Sequence, residues 1–461
     1  MPTPGESPVA TASLGPIAGR RDFLRAVSLA AGSLTWGCLG LASPSLGGER
    51  VTGEPSTGGQ PVAADGRRRT AVIQLFLGGG PSHLDMFDLK PHAPVEVRGE
   101  FQEIATSVPG LRISEHLPGL AARMHRFSVV RSMTHENSSH LPSSHWLQTG
   151  YPANDPVPGH NKNPSTGSIA ARLRGANQPG MPAYVAVPRG QAFAYASYLG
   201  ASFDPFATQA EPLANNFRVP NLALEGDLSP ERLGGRSRLL GQLDRLHREL
   251  QTRGEMTGVD DFRREALSMI TSPQTARAFA IDQESEATRE RYGRSPLGQN
   301  LLLARRLVES GVTFVSCLSG GGWDTHAHNF RDLKTVLLPR LDKALSALVD
   351  DLYERGLEGD VLVNVMGEFG RTPQVNKDAG RDHWPGAGFA FFAGGGLRMG
   401  QMIGETDKLA AYPMRDACSP GDVLATVYHV LGIDSRHVFY DAAQRPIPVL
   451  PDGRPISALV G

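Results

Sequence analysis

Two apolar runs constrain this chain more than anything else in it: Val312-Thr-Phe-Val-Ser-Cys-Leu318 and Val361-Leu-Val-Asn-Val-Met-Gly367. Between them, Leu337, Leu338, Leu341, Leu345, Leu348, Val349 and Leu352 recur at the spacing of one helical face. Strand, helix and strand in this order form a βαβ unit, which requires parallel strands and places helices on the sheet faces. Each run also ends in polar residues, and α/β folds collect their chemistry at strand C-termini. Ser295-Pro296, as N-cap and first helical residue, opens a helix through Gly311 that feeds the first run. Ala71–Leu77, Phe127–Met133, Met181–Val187 and Phe389–Ala393 supply further strands, and Asp422–Gly432 a closing helix. The expected fold class is therefore α/β, a mostly parallel central sheet flanked by helices. It forms a single domain over residues 70–455 with a helical insertion at about 229–310. No internal repeat or second autonomous domain is visible, and 461 residues suffice for a large core.

The polar clusters name the candidate chemistry. Gly321-Gly-Trp-Asp-Thr-His-Ala-His328 offers Asp324, His326 and His328 just beyond a strand. Carboxylate with imidazole suits zinc or another divalent cation, and Asp324 with His328 is the preferred pair. The competing reading has Asp324 capping the next helix while the histidines bond backbone groups. Glu368, at the end of the second run, is free to ligate metal, act as a base, or pair with Arg371 or Arg381. Asp382 beside His383 can orient its imidazole, or simply form the turn before Trp384-Pro385. His140 falls at a helix N-terminus, where free N–H groups accept an oxyanion; three solvent histidines (His135, His140, His145) are the plain alternative. Gly78-Gly-Gly-Pro-Ser-His83 follows the first strand as a possible nest of backbone N–H groups, with Asp85 and Asp88 beyond it as ligands or caps. It lacks the spacing of a nucleotide fingerprint.

Net charge is −1 and the sequence pI is ≈ 6.9, so no overall field draws the chain to nucleic acid or an anionic membrane. Residues 1–45 read as a twin-arginine signal: Arg20-Arg-Asp-Phe-Leu-Arg25 precedes a short, weakly apolar stretch. That stretch is too short and too broken by Gly and Ser for a stable transmembrane segment. Residues 46–69 read as a disordered linker. The expected location is the periplasm or the cell surface. Of the three cysteines, Cys38 belongs to the signal, and Cys317 and Cys418 are expected to be free and buried.

The chain resembles the DUF1501 family, exported bacterial proteins distantly similar to sulfatases within the alkaline-phosphatase-like superfamily. The carrying residues are Gly78–Asp88, Gly321–His328, Gly367-Glu-Phe-Gly-Arg-Thr-Pro373, Gly380–Trp384 and the tail Gly432-Ile-Asp434. The resemblance implies an alkaline-phosphatase/sulfatase-like fold and a divalent metal, zinc among the choices. It implies metal ligands at Asp324, His328, Glu368 and His383, with Asp85 if it folds back to replace a first-strand carboxylate. The superfamily's Asp-His-Gly is replaced by Glu368-Phe369-Gly370. Its Cys/Ser-x-Pro-Ser-Arg signature is matched by His140-Leu-Pro-Ser-Ser144, so the residue that becomes formylglycine in a standard sulfatase is absent. His140 then stands at the nucleophile position, with Ser138, Ser139, Ser143 and Ser144 as substitutes, and Arg371 and Arg381 join it as catalytic candidates. The expectation is an exported metal-dependent hydrolase of phosphate or sulfate esters, acting on an anionic small molecule or a polysaccharide. The alternatives are a non-catalytic anion- or glycan-binding protein on the same fold, and clusters that only close long loops by hydrogen bonding.

Overall fold

Ala71–Phe76 (β1) lies inside an eight-stranded sheet with all six residues buried. The other strands are Phe127–Met133 (β2), Tyr184–Val187 (β3), Phe206–Ala207 (β4), Phe314–Leu318 (β5), Val361–Met366 (β6), Gly388–Gly394 (β7) and Met402–Ile403 (β8). This computed structural model describes residues 70–219, 222, 268–269, 272–441 and 443–461. The twin-arginine segment, the linker and half of the expected insertion lie outside them.

The strand order is β8-β2-β7-β6-β1-β5-β3-β4. β1 pairs in parallel with β5 on one side and β6 on the other, Val72 opposite Phe314 and Ala71 opposite Val361. Only β7 runs antiparallel, to both β6 and β2. The βαβ reading thus holds at the sheet centre, while the reversed strand was read from the sequence only as one more strand. Its apolar run has the same composition in either direction, so nothing local distinguishes the two.

Five helices matter for the site: His140–Thr149 (α1), Thr166–Arg174 (α2), Pro296–Glu309 (α3), Leu338–Glu354 (α4) and Pro420–Leu431 (α5). Period-two alternation assigns the β1 side chains to two faces. Ile73 and Leu75 join the core beneath α3 and α4, whereas Val72 and Phe76 join the one beneath α2 and α5. The Ser295 hydroxyl accepts from Gly298 N–H at the start of α3, as the Ser-Pro signal requires. The helix expected around Leu337–Leu352 is not uniform at its start. Leu333–Leu337 is a π-helical turn, and α4 follows with Pro339 in its first turn. Proline has no N–H to return to the preceding turn, which widens instead. Cys317 and Cys418 are free and buried. Among the described residues, no helix is long and apolar enough to cross a membrane.

Candidate metal centre

In the loop after β5, Trp323 and Thr325 are buried while Asp324 and His326 are exposed, so Thr325 turns inward and the residues on either side turn out. Thr325 is buried against Asn329, to whose side-chain oxygen its hydroxyl donates at 2.6 Å. Asp324 and His326 consequently share one face. His326 Nε2 lies 3.0 Å from Asp324 Oδ1. His383, from the loop after β6, places its own Nε2 3.0 Å from that oxygen and 3.0 Å from His326 Nε2.

The far side of each ring is occupied. His326 Nδ1 lies 2.7 Å from Asp382 Oδ1, and His383 Nδ1 lies 2.8 Å from the Ser138 carbonyl. Both partners only accept, so each Nδ1 carries the proton and each neutral ring turns an Nε2 lone pair inward. Two imidazole lone pairs and a carboxylate oxygen therefore converge on one point. His140, the first residue of α1, closes the other side, with Nε2 3.3 Å from Asp324 Oδ2 and Nδ1 3.4 Å from Glu368 Oε1. One ligand atom each from His140, Asp324 and His383 lies within 4.8 Å of the others. Phe369 packs its ring against both imidazoles, 5.2 Å from His140 and 4.4 Å from His383 between centroids.

The charges follow from this packing. Burial raises the Asp324 pKa, but the hydrogen bond from Arg371, with the adjacent His383 ring, outweighs it and holds the carboxyl well below its ordinary range. His140 is raised, chiefly by the Glu368 carboxylate. Burial lowers His383 despite the neighbouring Asp324 carboxylate. Asp382 is lowered, first by its bond to His326.

Several expected site residues are placed elsewhere. His328 does not join Asp324: it is exposed at the N-cap of Asn329–Asp332, with a φ of 54°, and its N–H donates to Asp378 O at 3.0 Å. Asp85 is 1% exposed and bound by Arg381, whose Nε reaches Oδ2 at 2.8 Å and whose Nη2 reaches Oδ1 at 3.0 Å. Arg381 spends its remaining donors on the carbonyls of Val97, Thr372 and Pro373. This pair ties loops together beneath the centre and faces no open site. Arg371, also fully buried, donates to the carbonyls of Gly79, Gly80, Trp323 and Arg381 and, at 2.6 Å, to Asp324 Oδ1. It holds Asp324 in place and lies wholly inside the protein. Ser143 and Ser144 are buried, and only His140 of that stretch turns into the cluster.

The glycine nest at 78–80 does bind an anion, and that anion is internal. Gly79 N–H donates to Glu368 Oε1 and Oε2 at 3.1 and 2.9 Å, and Gly80 N–H to Oε2 at 2.8 Å. His326 is the ligand candidate that sequence reasoning placed behind His328. The signal that finds it is the alternation Asp-Thr-His, which in an extended loop brings positions i and i+2 to one side.

Among solved structures the chain is similar to the PsFucS1 sulfatase from Pseudoalteromonas sp., at 11% identity and a TM-score of 0.35, over 79% of this chain and 68% of that one. It is similar to the lipoteichoic acid synthase LtaP from Listeria monocytogenes at 10% identity and a TM-score of 0.31, over 80% and 73% of the two chains. The alkaline phosphatase from the Antarctic bacterium TAB5 aligns at 11% identity and a TM-score of 0.36, over 79% and 99%. No curated protein sequence matches. Residues 69–460 match the family described as Protein of unknown function (DUF1501), and the chain belongs to that family.

Proposed function

We propose that this protein is a metal-dependent hydrolase of phosphate or sulfate esters, with a divalent ion held by Asp324, His326 and His383. The carrying observation is the triangle of Nε2, Nε2 and Oδ1, each edge 3.0 Å. With both Nδ1 atoms protonated, three lone pairs face one another, an arrangement that a cation relieves. Donors at about 2.0–2.1 Å from a common zinc ion stand roughly 3 Å apart, which matches. Asp382 and the Ser138 carbonyl complete the fit as the outer partners that orient ligating imidazoles.

A divalent ion so held supplies Lewis-acid polarisation of an ester oxygen and acidifies water. The protein's own part is to fix the donors and move the proton. Arg371 pins Asp324, and Phe369 sets the planes of His140 and His383. His140, flanked by the Glu368 and Asp324 carboxylates that favour its protonated form, gives a proton to the leaving oxygen and recovers one from the attacking water. Arg381 has every donor engaged and buried Arg371 is committed to Asp324 and four backbone carbonyls, so neither reaches outward to an anion, and the converging ligand atoms favour the hydrolase over the glycan-binding alternative. Export by the twin-arginine route, read from Arg20-Arg21, suits a protein that folds around its ion before crossing.

The test is elemental analysis of purified, folded protein for zinc, manganese and calcium, then a panel of phosphate and sulfate esters with and without chelator. About one ion per chain and chelator-sensitive turnover are expected, and Asp324→Asn should lose both. Negligible metal after reconstitution together with no chelator effect would overturn the proposal.

A further inference from the structure

We infer that Asn376 is a positioning residue for the metal centre: its side-chain amide staples the loop that carries His326 to the loop that carries Asp382 and His383. That an ion occupies the centre rests on the hydrolase reading above; the staple itself does not.

His326 and Asp382 stand 56 positions apart in the chain, so their spacing depends on bonds between the two loops. Asn376 uses both ends of its amide for this. Its Oδ1 accepts from Asp378 N–H at 3.0 Å and from Gly380 N–H at 2.9 Å, which closes its own turn. Its Nδ2 donates to the His326 carbonyl at 2.9 Å and, more weakly at 3.4 Å, to Asp382 Oδ1. Backbone N–H groups only donate and a carbonyl only accepts, so these partners fix which end of the amide points where. Asp382 Oδ1 is also the oxygen that faces His326 Nδ1 at 2.7 Å. One amide therefore holds both the backbone of His326 and the carboxylate that orients its ring.

The turn that carries this amide is rigid. Asn376 N–H donates to the Gly380 carbonyl at 2.8 Å. Ala379 is held at a φ of 53°, in the left-handed region that a residue with a Cβ seldom adopts. A Cβ on Gly380 would lie 1.9 Å from the His326 carbonyl oxygen, so the two loops touch at the backbone. Beside the staple, the Asp378 and Ala379 carbonyls accept from His328 and Asn329 N–H at 3.0 and 2.9 Å, and Arg381 N–H donates to Thr325 O at 3.1 Å. These flanking bonds join the loops, and Asn376 adds the bonds that reach His326 and its outer partner together. Losing such an outer partner costs about 10–100-fold in metal affinity.

Asn376→Asp separates this role from plain support of the fold. The replacement has the same shape, and one of its oxygens still closes the turn. The other meets the His326 carbonyl and the Asp382 carboxylate, which both accept, and repels them. Zinc affinity is expected to fall about tenfold in competition with a chelator. The visible bands of the cobalt-substituted protein should shift, because they follow coordination geometry, while the urea midpoint stays near the parental value. Asn376→Ala adds no charge and opens the turn; it should show the same two metal effects at a lower midpoint, and it gives the same readouts should Asn376→Asp not fold. Parental zinc affinity and unshifted cobalt bands in the variants would leave Asn376 a purely structural residue and overturn the inference. A parent protein that takes up neither zinc nor cobalt would sink the hydrolase reading instead. The staple is then decided by metal-free 1H–15N spectra: Asn376→Asp should move the amide resonances of His326, Asp382 and His383, and unmoved resonances overturn it.

Discussion

Arg381 and Asp85 show what a sequence conceals at the level of single residues. Both looked like site chemistry because they are charged and stand beside glycine turns, and charge is legible where burial is not. In the fold they face each other at 0% and 1% exposure, every donor of Arg381 engaged. Removing one partner of such a pair strands the other charge, at a cost of about 3–5 kcal/mol. Arg381→Met is thus expected to lower the unfolding free energy by that amount in urea titrations, while zinc content of the folded fraction stays unchanged. A loss of zinc without a loss of stability would return Arg381 to the site. His83 gives a second residue-scale outcome. Its ring is fully buried, Nε2–H donating to Ala410 O at 2.9 Å and Nδ1 unpartnered among the described residues, and burial lowers its pKa. The unfolded chain then binds a proton below about pH 6.5 that the native ring refuses, so stability falls as pH drops through that value, by up to about 1.4 kcal/mol per unit. His83→Gln should flatten the urea midpoint between pH 7 and 5 by one proton's worth of slope. Coincident slopes would show that the ring titrates normally.

At the level of elements, the apolar runs and end signals were informative and the loops were not. The strands at 71, 127, 314 and 361 and the Ser295-Pro296 start of α3 follow from pattern and capping chemistry, which act within a few residues. The loop between Asp324 and His328 depends instead on what it packs against. The preferred pair was Asp324 with His328, but no helix forms between the two, and His328, with a φ of 54°, caps the helix that starts at Asn329. Thr325 enters the core, Gly380 lets His326 approach so closely that a Cβ there would lie 1.9 Å from its carbonyl oxygen, and His326 is the imidazole that faces Asp324. These are contacts across more than fifty positions, invisible to local pattern. His326→Ala is accordingly expected to weaken zinc binding by at least about tenfold in competition with a chromophoric chelator, on the scale of shells around metal ligands. His328→Ala should leave it within about twofold. The reverse ranking would mean that the loop rearranges to a helical turn when it binds zinc.

The whole molecule gathers this centre from segments that are remote in the chain: the turn after β1, the start of α1, the loop after β5 and the stretch from Glu368 to His383 beyond β6. Parallel strands β1, β5 and β6 deliver three of these to one sheet edge, which is why the βαβ pattern located the cluster although the preferred partner of Asp324 was His328 and not His326. Because the donors come from distant segments, the unfolded chain has no such triangle, and an ion that binds only the native state must stabilise the entire fold. Zinc at a hundred times its dissociation constant contributes about 2.7 kcal/mol by mass action. For a domain of nearly 400 residues, with an unfolding entropy of about 2.1 cal/mol/K per residue, that amounts to a rise in Tm of roughly 3 °C. Calorimetry should show this rise on adding zinc, its reversal by chelator, and its absence in Asp324→Asn. Arg381→Met should start from a lower Tm and show the same increment, since its contacts lie beneath the centre and not in it. Equal Tm values with and without zinc in the parent protein would mean that the three lone pairs are reconciled by a shared proton, and the ion would have no place in the native state.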